Sequence, residues 1–197
     1  RTARLGADRQ RALQLPFGVV DDCVSDSPVT AVLEFTYATD TVSEFRRGRI
    51  DLGGTDILDR IRAERCTAIA FEAATTTSLD DVAMVDGTVT ANLVITKTAD
   101  DPKIAVGEPS GTILMSVRAD DGSTGVSLEA AGERVVIPIT FVVNRCDPHA
   151  LAEVTKRYGL DLSISVDDAA PEAVAIDVAD LTSDFEDVVQ RCFDAAT

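Results

Sequence analysis

Apolar and polar residues alternate along several short stretches of the chain, most regularly over residues 29–37. An extended chain places Val29, Ala31, Leu33, Phe35 and Tyr37 on one side and the residues between them on the other. Such a period of two is typical of a half-buried strand. Five further stretches are predicted strands: 68–74, 89–96, 112–117, 135–143 and 160–166. Short strands separated by turns about every ten residues predict a mainly β fold of the sandwich type.

Two segments carry helix signals instead. A start signal at Asp147-Pro148 and a stop signal at Gly159 predict a short helix after Cys146. Ser183 and Glu186 form a capping box, which predicts a C-terminal helix. The apolar positions of that helix share one face: Phe185, Val188, Val189 and Cys192.

A twelve-residue passage occurs twice, as residues 29–40 and 89–100, and each copy runs on to an Arg-Cys pair that ends at Cys66 or Cys146. The duplication predicts two tandem immunoglobulin-like β-sandwich modules. The first comprises residues 17–85, after a basic leader of residues 1–16, and the second comprises residues 86–197. Turn and cap residues over 75–87 favour a boundary there.

The repeat also bears on residues 57–65, which are rich in helix-forming residues. The alignment of the two copies places this segment against the predicted strand 135–143. Helix propensity is a weak signal that tertiary context often overrides. The repeat therefore predicts a strand at residues 57–65.

The chain is strongly acidic, with a formal net charge of −16 over 197 residues, although its first fifteen residues are basic. A nucleic-acid duplex carries about one negative charge per 1.7 Å and would be repelled by most of this surface. No nucleic-acid partner is expected. No stretch approaches the roughly eighteen consecutive apolar residues of a membrane span. The chain opens with Arg1, so a processed amino terminus is expected, and a membrane tether through a segment outside this sequence stays open.

Four cysteines could form disulfides or bind a metal. The chain has no C-x-x-C motif and a single histidine, which argues against a zinc site. Three pairings are open, and we prefer Cys23 with Cys66 and Cys146 with Cys192, because these bonds close loops of similar size within one module each. Each disulfide would restrain the unfolded chain by about 4 kcal/mol. Disulfides predict an oxidising, extracytoplasmic location.

Catalytic and cofactor motifs are weak in this sequence. His149 lies at the predicted start of a helix, and no G-x-S-x-G nucleophile elbow accompanies it. The glycine-rich nucleotide-binding motifs do not occur either. Acidic pairs such as Asp100-Asp101 and Asp167-Asp168 do not follow the EF-hand pattern, which leaves calcium binding undecided. The sequence predicts no catalytic residue, no metal site and no cofactor.

Residues 145–153, Arg-Cys-Asp-Pro-His-Ala-Leu-Ala-Glu, resemble a signature in uncharacterised secreted or envelope-associated proteins of actinobacteria. Those proteins join two small β-domains and carry a late cysteine. The resemblance covers these nine residues and, more loosely, the layout of the cysteines. It implies an extracytoplasmic protein of two small β-domains, and it implies no active site.

These observations predict a non-enzymatic interaction or structural module of the cell envelope, with an unidentified protein or envelope partner. The expected interaction residues are Asp147, His149, Glu153 and Tyr158. One alternative is a secreted hydrolase or ligand carrier with a cleft between the modules, in which His149 would act beside Asp147 or Glu153. A second alternative is an accessory subunit of a membrane complex.

Overall fold

The structure is a computed structural model, and it describes residues 28–39, 42–52, 56–120, 122–145 and 157–196, together with Cys23 and Asp147. These residues form ten strands and two α-helices. In chain order they are β1 (Ala31–Thr39), β2 (Val42–Leu52), α1 (Asp56–Ala74), β3 (Thr75–Val85), β4 (Thr88–Lys97), β5 (Ile104–Ser110), β6 (Met115–Ala119), β7 (Val126–Leu128), β8 (Arg134–Val143), β9 (Leu160–Val166), β10 (Glu172–Ile176) and α2 (Thr182–Ala196). The predicted mainly β fold with a C-terminal helix is confirmed.

Two four-stranded antiparallel sheets supply most of the hydrophobic core. Their strand orders are β3-β4-β8-β6 and β10-β9-β5-β7. Apolar side chains of both sheets pack into one cluster. Strands β4, β8 and β9 contribute many of its fully buried members: Val89, Leu93, Ile95, Ile137, Ile139, Phe141, Leu160, Leu162 and Ile164. The predicted strands 135–143 and 160–166 coincide with β8 and β9, because alternation there reports burial on one face.

The C-terminal helix α2 packs against this core, as its apolar face predicts. Phe185, Val188 and Val189 are buried. The ring of Phe185 lies 4.9 Å from that of Phe141 on β8 and 5.2 Å from that of Tyr158, measured between ring centroids. A short 3-10 turn, Ala179–Leu181, leads from β10 into the helix. The face predicted from the sequence is therefore the face that anchors α2.

The strands predicted at residues 57–65 and 68–74 are wrong, because both segments lie in α1. Helix-forming residues dominate this stretch, and ion pairs at helical spacing support it. Arg60 lies 3.6 Å from Glu64, and Arg62 lies 3.3 Å from Asp59. Asp56 and Asp59 in the first turn also favour the helix dipole. Local helix preference outweighed the alignment of the repeat here.

Residues 75–87, where the sequence predicts the boundary between two modules, contain a regular strand. This strand is β3, which pairs with β4 from Thr75 opposite Lys97 to Val85 opposite Thr88. Asp86 and Gly87 form the two-residue turn, with φ values of 47° and 78°. Asp-Gly suits this turn because both positions need a positive φ. The predicted division between residues 85 and 86 thus falls in a hairpin whose two strands share a sheet.

Strands β1 and β2 form a separate two-stranded antiparallel ribbon that precedes α1. The backbone N–H of Val29 donates a hydrogen bond to the Asp59 carboxylate in the first turn of α1, at 2.8 Å. This bond places the base of the ribbon at the amino-terminal end of α1.

Within the described residues, no helix is both long and apolar enough to cross a membrane.

Candidate functional site

A disulfide joins Cys23 to Cys66 in the middle of α1, with a Cα–Cα distance of 5.5 Å. It is the first of the two preferred pairs. Cys192 on α2 is also disulfide-bonded, whereas Cys146 lies outside the described residues. The bond between Cys23 and Cys66 ties the segment before the ribbon covalently to α1. The ribbon and the part of α1 up to Cys66 therefore lie within one closed covalent loop.

Of the four predicted interaction residues, the structure describes Asp147 and Tyr158, whereas His149 and Glu153 lie outside the described residues. Asp147 accepts a hydrogen bond from Nε of Arg145 at 3.2 Å. Tyr158 is half-buried, and burial is the main cause that raises the pKa of its phenol. Its ring packs on Phe185, so Tyr158 contributes to the core as well as to the surface.

The acidic pairs that raised the question of calcium hold turns together in the structure. Asp167 accepts a hydrogen bond from the backbone N–H of Lys103 at 2.9 Å, and Asp168 lies 3.1 Å from the Lys103 ammonium. Asp100 likewise accepts the N–H of Ala131 at 3.0 Å. Among the described residues, no group of three or more potential metal ligands is arranged to bind an ion.

A groove of about 480 Å³ lies between β3 and the connection from β10 to α2. We call it the acidic groove. The residues that line it are Thr77, Ser78, Leu79, Val82, Ile176, Asp177, Val178, Ala179, Asp180, Leu181 and Asp184. Apolar side chains make up about half of this lining, and Val82 remains 40% exposed. The groove therefore offers both apolar and charged contacts to a ligand.

Three aspartates give the acidic groove its charge, and no lysine or arginine is among the described residues that line it. Asp177 accepts the backbone N–H of Ala179 at 2.9 Å and so starts the 3-10 turn. Asp180 and Asp184 lie in first turns, where negative charge favours the helix dipole. Local structure explains why acids occur here, and their clustering makes the groove attractive to cationic groups.

The groove runs along an open strand edge, because β3 is the outer strand of its sheet among the described strands. The carbonyl of Ala74 accepts the N–H of Thr98 at 2.8 Å, so these two residues form a hydrogen-bonded pair. Such pairs alternate along an antiparallel ladder. The register of β3 and β4 therefore turns the backbone groups of Thr77 and Leu79 away from β4, and both residues line the groove.

The regular edge of β3 ends at a bulge. The register slips between Asp80 and Ala83, and Asp81 has a φ of 52°. The amide of Asn92 on β4 donates to the Asp81 carboxylate at 2.9 Å, which holds the bulge in place. Bulges and charges on an outer strand restrict pairing with other strands. The edge open to a further strand is thus short.

The ribbon presents a second exposed surface. Its register places Leu33, Phe35 and Tyr37 on the same face as Ile50 and Leu52. Phe35, Tyr37, Ile50 and Leu52 are 36%, 42%, 50% and 36% exposed. The other face is polar, with Glu34 opposite Arg49 and Thr36 opposite Arg47. An isolated two-stranded ribbon is marginally stable in water, so this surface is suited to further contacts.

The acidic groove was not predicted from the sequence, because the residues of β3 were interpreted as the boundary between two modules. An outer strand cannot be recognised when the strand itself is not predicted. The spacing of Asp177, Asp180 and Asp184 was a usable signal, since steps of three and four residues place acids together near the start of a helix.

Comparison of the chain with protein-family models and with curated proteins gives no match.

Proposed function

We propose that the protein is a non-enzymatic interaction module of the cell envelope, and that it binds an extended basic segment of a protein partner through the acidic groove. The observation that carries this proposal is the free edge of β3 beside three aspartates with no basic residue in the described lining. Edge strands with adjacent side-chain pockets commonly bind extended peptides. The proposed location is extracytoplasmic, and the disulfide between Cys23 and Cys66 supports it.

The charge and the shape of the acidic groove favour the same ligand class. A cationic side chain can reach Asp177, Asp180 or Asp184 at the rim, while apolar side chains can contact Val82 and Leu79. An extended segment alternates its side chains between two faces, so one face can supply contacts to the groove. Segments with arginine or lysine at every second position place all of these cations on that face and meet the charge requirement.

A synthetic peptide of ten residues that alternates arginine with valine tests this function by isothermal titration calorimetry. The triple variant Asp177→Asn/Asp180→Asn/Asp184→Asn is expected to weaken binding by about tenfold or more, because it removes the charges that face the peptide. Added salt is expected to weaken binding to the wild type, since these charges are exposed.

The net charge of −16 could attract any basic peptide, so a matched control is needed. The triple variant Glu72→Gln/Asp120→Asn/Asp187→Asn removes the same number of charges at exposed positions outside the groove. It is expected to bind the peptide nearly as tightly as the wild type does. Equal weakening in the two triple variants would show nonspecific attraction and would overturn the proposal.

A further inference from the structure

Two incomplete edges of this molecule have complementary charges. Strand β2 is paired only with β1, and β3 is paired only with β4, among the described strands. Each therefore leaves one row of backbone N–H and C=O groups without a ladder partner in the part of the chain that the structure describes. The segment Phe45–Ile50 of β2 contains three arginines and no acid, whereas the acidic groove beside β3 contains three aspartates and no base in its described lining.

Strand β2 presents exposed basic side chains on one face of the ribbon. Arg47 and Arg49 point to the same face of the ribbon, because their cross-strand partners are Thr36 and Glu34. Arg49 makes a contact of 3.7 Å with Asp51, between side chains that are 65% and 84% exposed. Such an exposed ion pair contributes little to stability, so Arg49 can readily exchange Asp51 for another acidic partner. Phe45 precedes these arginines and is 80% exposed.

The base of the ribbon and the start of β3 lie at opposite ends of α1. The ribbon adjoins the amino-terminal end of this helix through Val29 and Asp59, and β3 begins where the helix ends. A helix of 19 residues is about 28 Å long at a rise of roughly 1.5 Å per residue. The disulfide between Cys23 and Cys66 also attaches the chain before the ribbon to α1. The arrangement favours contact between two molecules over contact within one.

We propose that the acidic groove of one molecule receives β2 of a second copy, with the segment Phe45–Ile50 added as a further strand beside β3. This inference rests on the proposed function, because it names the basic segment that the groove binds. The backbone groups of Thr77 and Leu79 pair with the added strand, and the bulge at Asp81 ends the pairing. The contact joins two different surfaces, so it assembles copies head to tail.

Charge reversal tests this assembly by sedimentation velocity over a range of protein concentrations. The wild type is expected to self-associate as its concentration rises. The ribbon variant Arg47→Glu/Arg49→Glu and the groove variant Asp177→Lys/Asp180→Lys are each expected to associate at least about tenfold more weakly, because like charges then face each other. A mixture of the two variants is expected to associate again, since the ribbon of one then complements the groove of the other.

Matched charge reversals elsewhere separate a local contact from an effect of net charge. Arg118→Glu/Arg191→Glu changes the net charge as the ribbon variant does, at exposed positions on β6 and α2. Glu72→Lys/Asp187→Lys changes the net charge as the groove variant does, also at exposed positions. Both controls are expected to associate as the wild type does, after allowance for the altered net charge, and circular dichroism checks that every variant is folded.

The outcomes distinguish this inference from the proposed function. A wild type that stays monomeric while its acidic groove binds the basic peptide would overturn head-to-tail assembly and leave the proposed function standing. Failure of both binding and association would overturn both. Association that persists in the two variants, or that the mixture does not restore, would assign the contact to another surface, such as the apolar face of the ribbon, and would overturn the inference.

Discussion

Lys97 is a buried cation in the core-facing row of β4. Leu93, Ile95 and Lys97 occupy every second position, so their side chains lie on the same side of β4. The Lys97 side chain is 1% exposed. Its ammonium donates hydrogen bonds to the carbonyls of Ala99, Asp100 and Glu129, the last two at 2.6 and 3.3 Å. An ammonium has three donors, and three backbone oxygens accept them here. Lys97 thus joins the end of β4 to the loop before β8.

Replacing Lys97 by Met is expected to lower the free energy of unfolding by about 2 to 4 kcal/mol, because three carbonyls around a buried site would lose a charged donor. Urea denaturation measures this change. Lys103→Met is the control, since the Lys103 side chain is 36% exposed and pairs with Asp168 at the surface; its loss of stability is expected to be much smaller, because an exposed ion pair contributes little. Equal losses would contradict the role given to Lys97.

Glu133 organises the same loop from its other side. Its carboxylate accepts the backbone N–H groups of Glu129 and Ala130, the second at 3.2 Å. The bond from Glu129 is the largest cause that lowers the pKa of Glu133 below its usual 4.5, followed by the bond from Ala130, and Lys97 adds a smaller attraction. The folded state therefore favours the ionised form of this carboxyl.

Because the pKa of Glu133 is lower in the folded state than in the unfolded state, its contribution to stability changes with pH in a defined direction. The contribution of Glu133 is fully present above the unfolded pKa near 4.5 and is lost as the pH falls through the lower folded value. The wild type is therefore expected to be more stable than Glu133→Gln at pH 7, with the difference shrinking below the usual pKa. Denaturation over a pH series measures it. A difference that grew on acidification would refute this assignment.

At the scale of elements, the disulfide between Cys23 and Cys66 restrains the ribbon and α1. A bond between residues separated by 43 positions reduces the entropy of the unfolded chain by an amount worth about 4 kcal/mol in the chain-entropy model. The double variant Cys23→Ser/Cys66→Ser is expected to lose stability of up to about this size, with the larger effect on amides of the ribbon and α1 than on those of β8 and β9.

Hydrogen exchange measures that difference element by element. Faster exchange in β1 and β2 with unchanged protection in β8 and β9 is the expected result. A uniform loss of protection across all strands would mean that the bond stabilises the whole molecule as one cooperative unit.

In the wild-type protein isolated without reductant, a thiol-reactive label is expected to add nothing to the intact mass, and labelled cysteines would remove the argument for an oxidising compartment.

The elements also divide according to which physical signal specifies them. Strands β8 and β9 and helix α2 were predicted because each buries one face, and burial leaves a period in the sequence. β3 was not predicted as a strand, since most of its side chains are exposed and their polarity is like that of a turn. α1 was misassigned because sequence similarity between copies was given more weight than local helix preference.

At the scale of the molecule, the mainly β architecture could be predicted from the sequence, whereas the pairing of its strands could not. The repeat correctly marks β1 and β4 as strands, yet β1 lies in a ribbon and β4 at the centre of a sheet. Long-range pairing determines these environments, and no local pattern encodes it. The acidic groove depends on the same pairing, since Thr77 and Asp177 are distant in sequence and line the same groove.

The disulfide between Cys23 and Cys66 also determines how the molecule carries mechanical load. A pull on the chain before Cys23 passes through the bond directly into α1 and from there into β3 and its sheet. The ribbon belongs to the covalent loop between the two cysteines, so it lies off the line of force and bears no tension. Stretching of the chain would leave the ribbon folded and its surface presented.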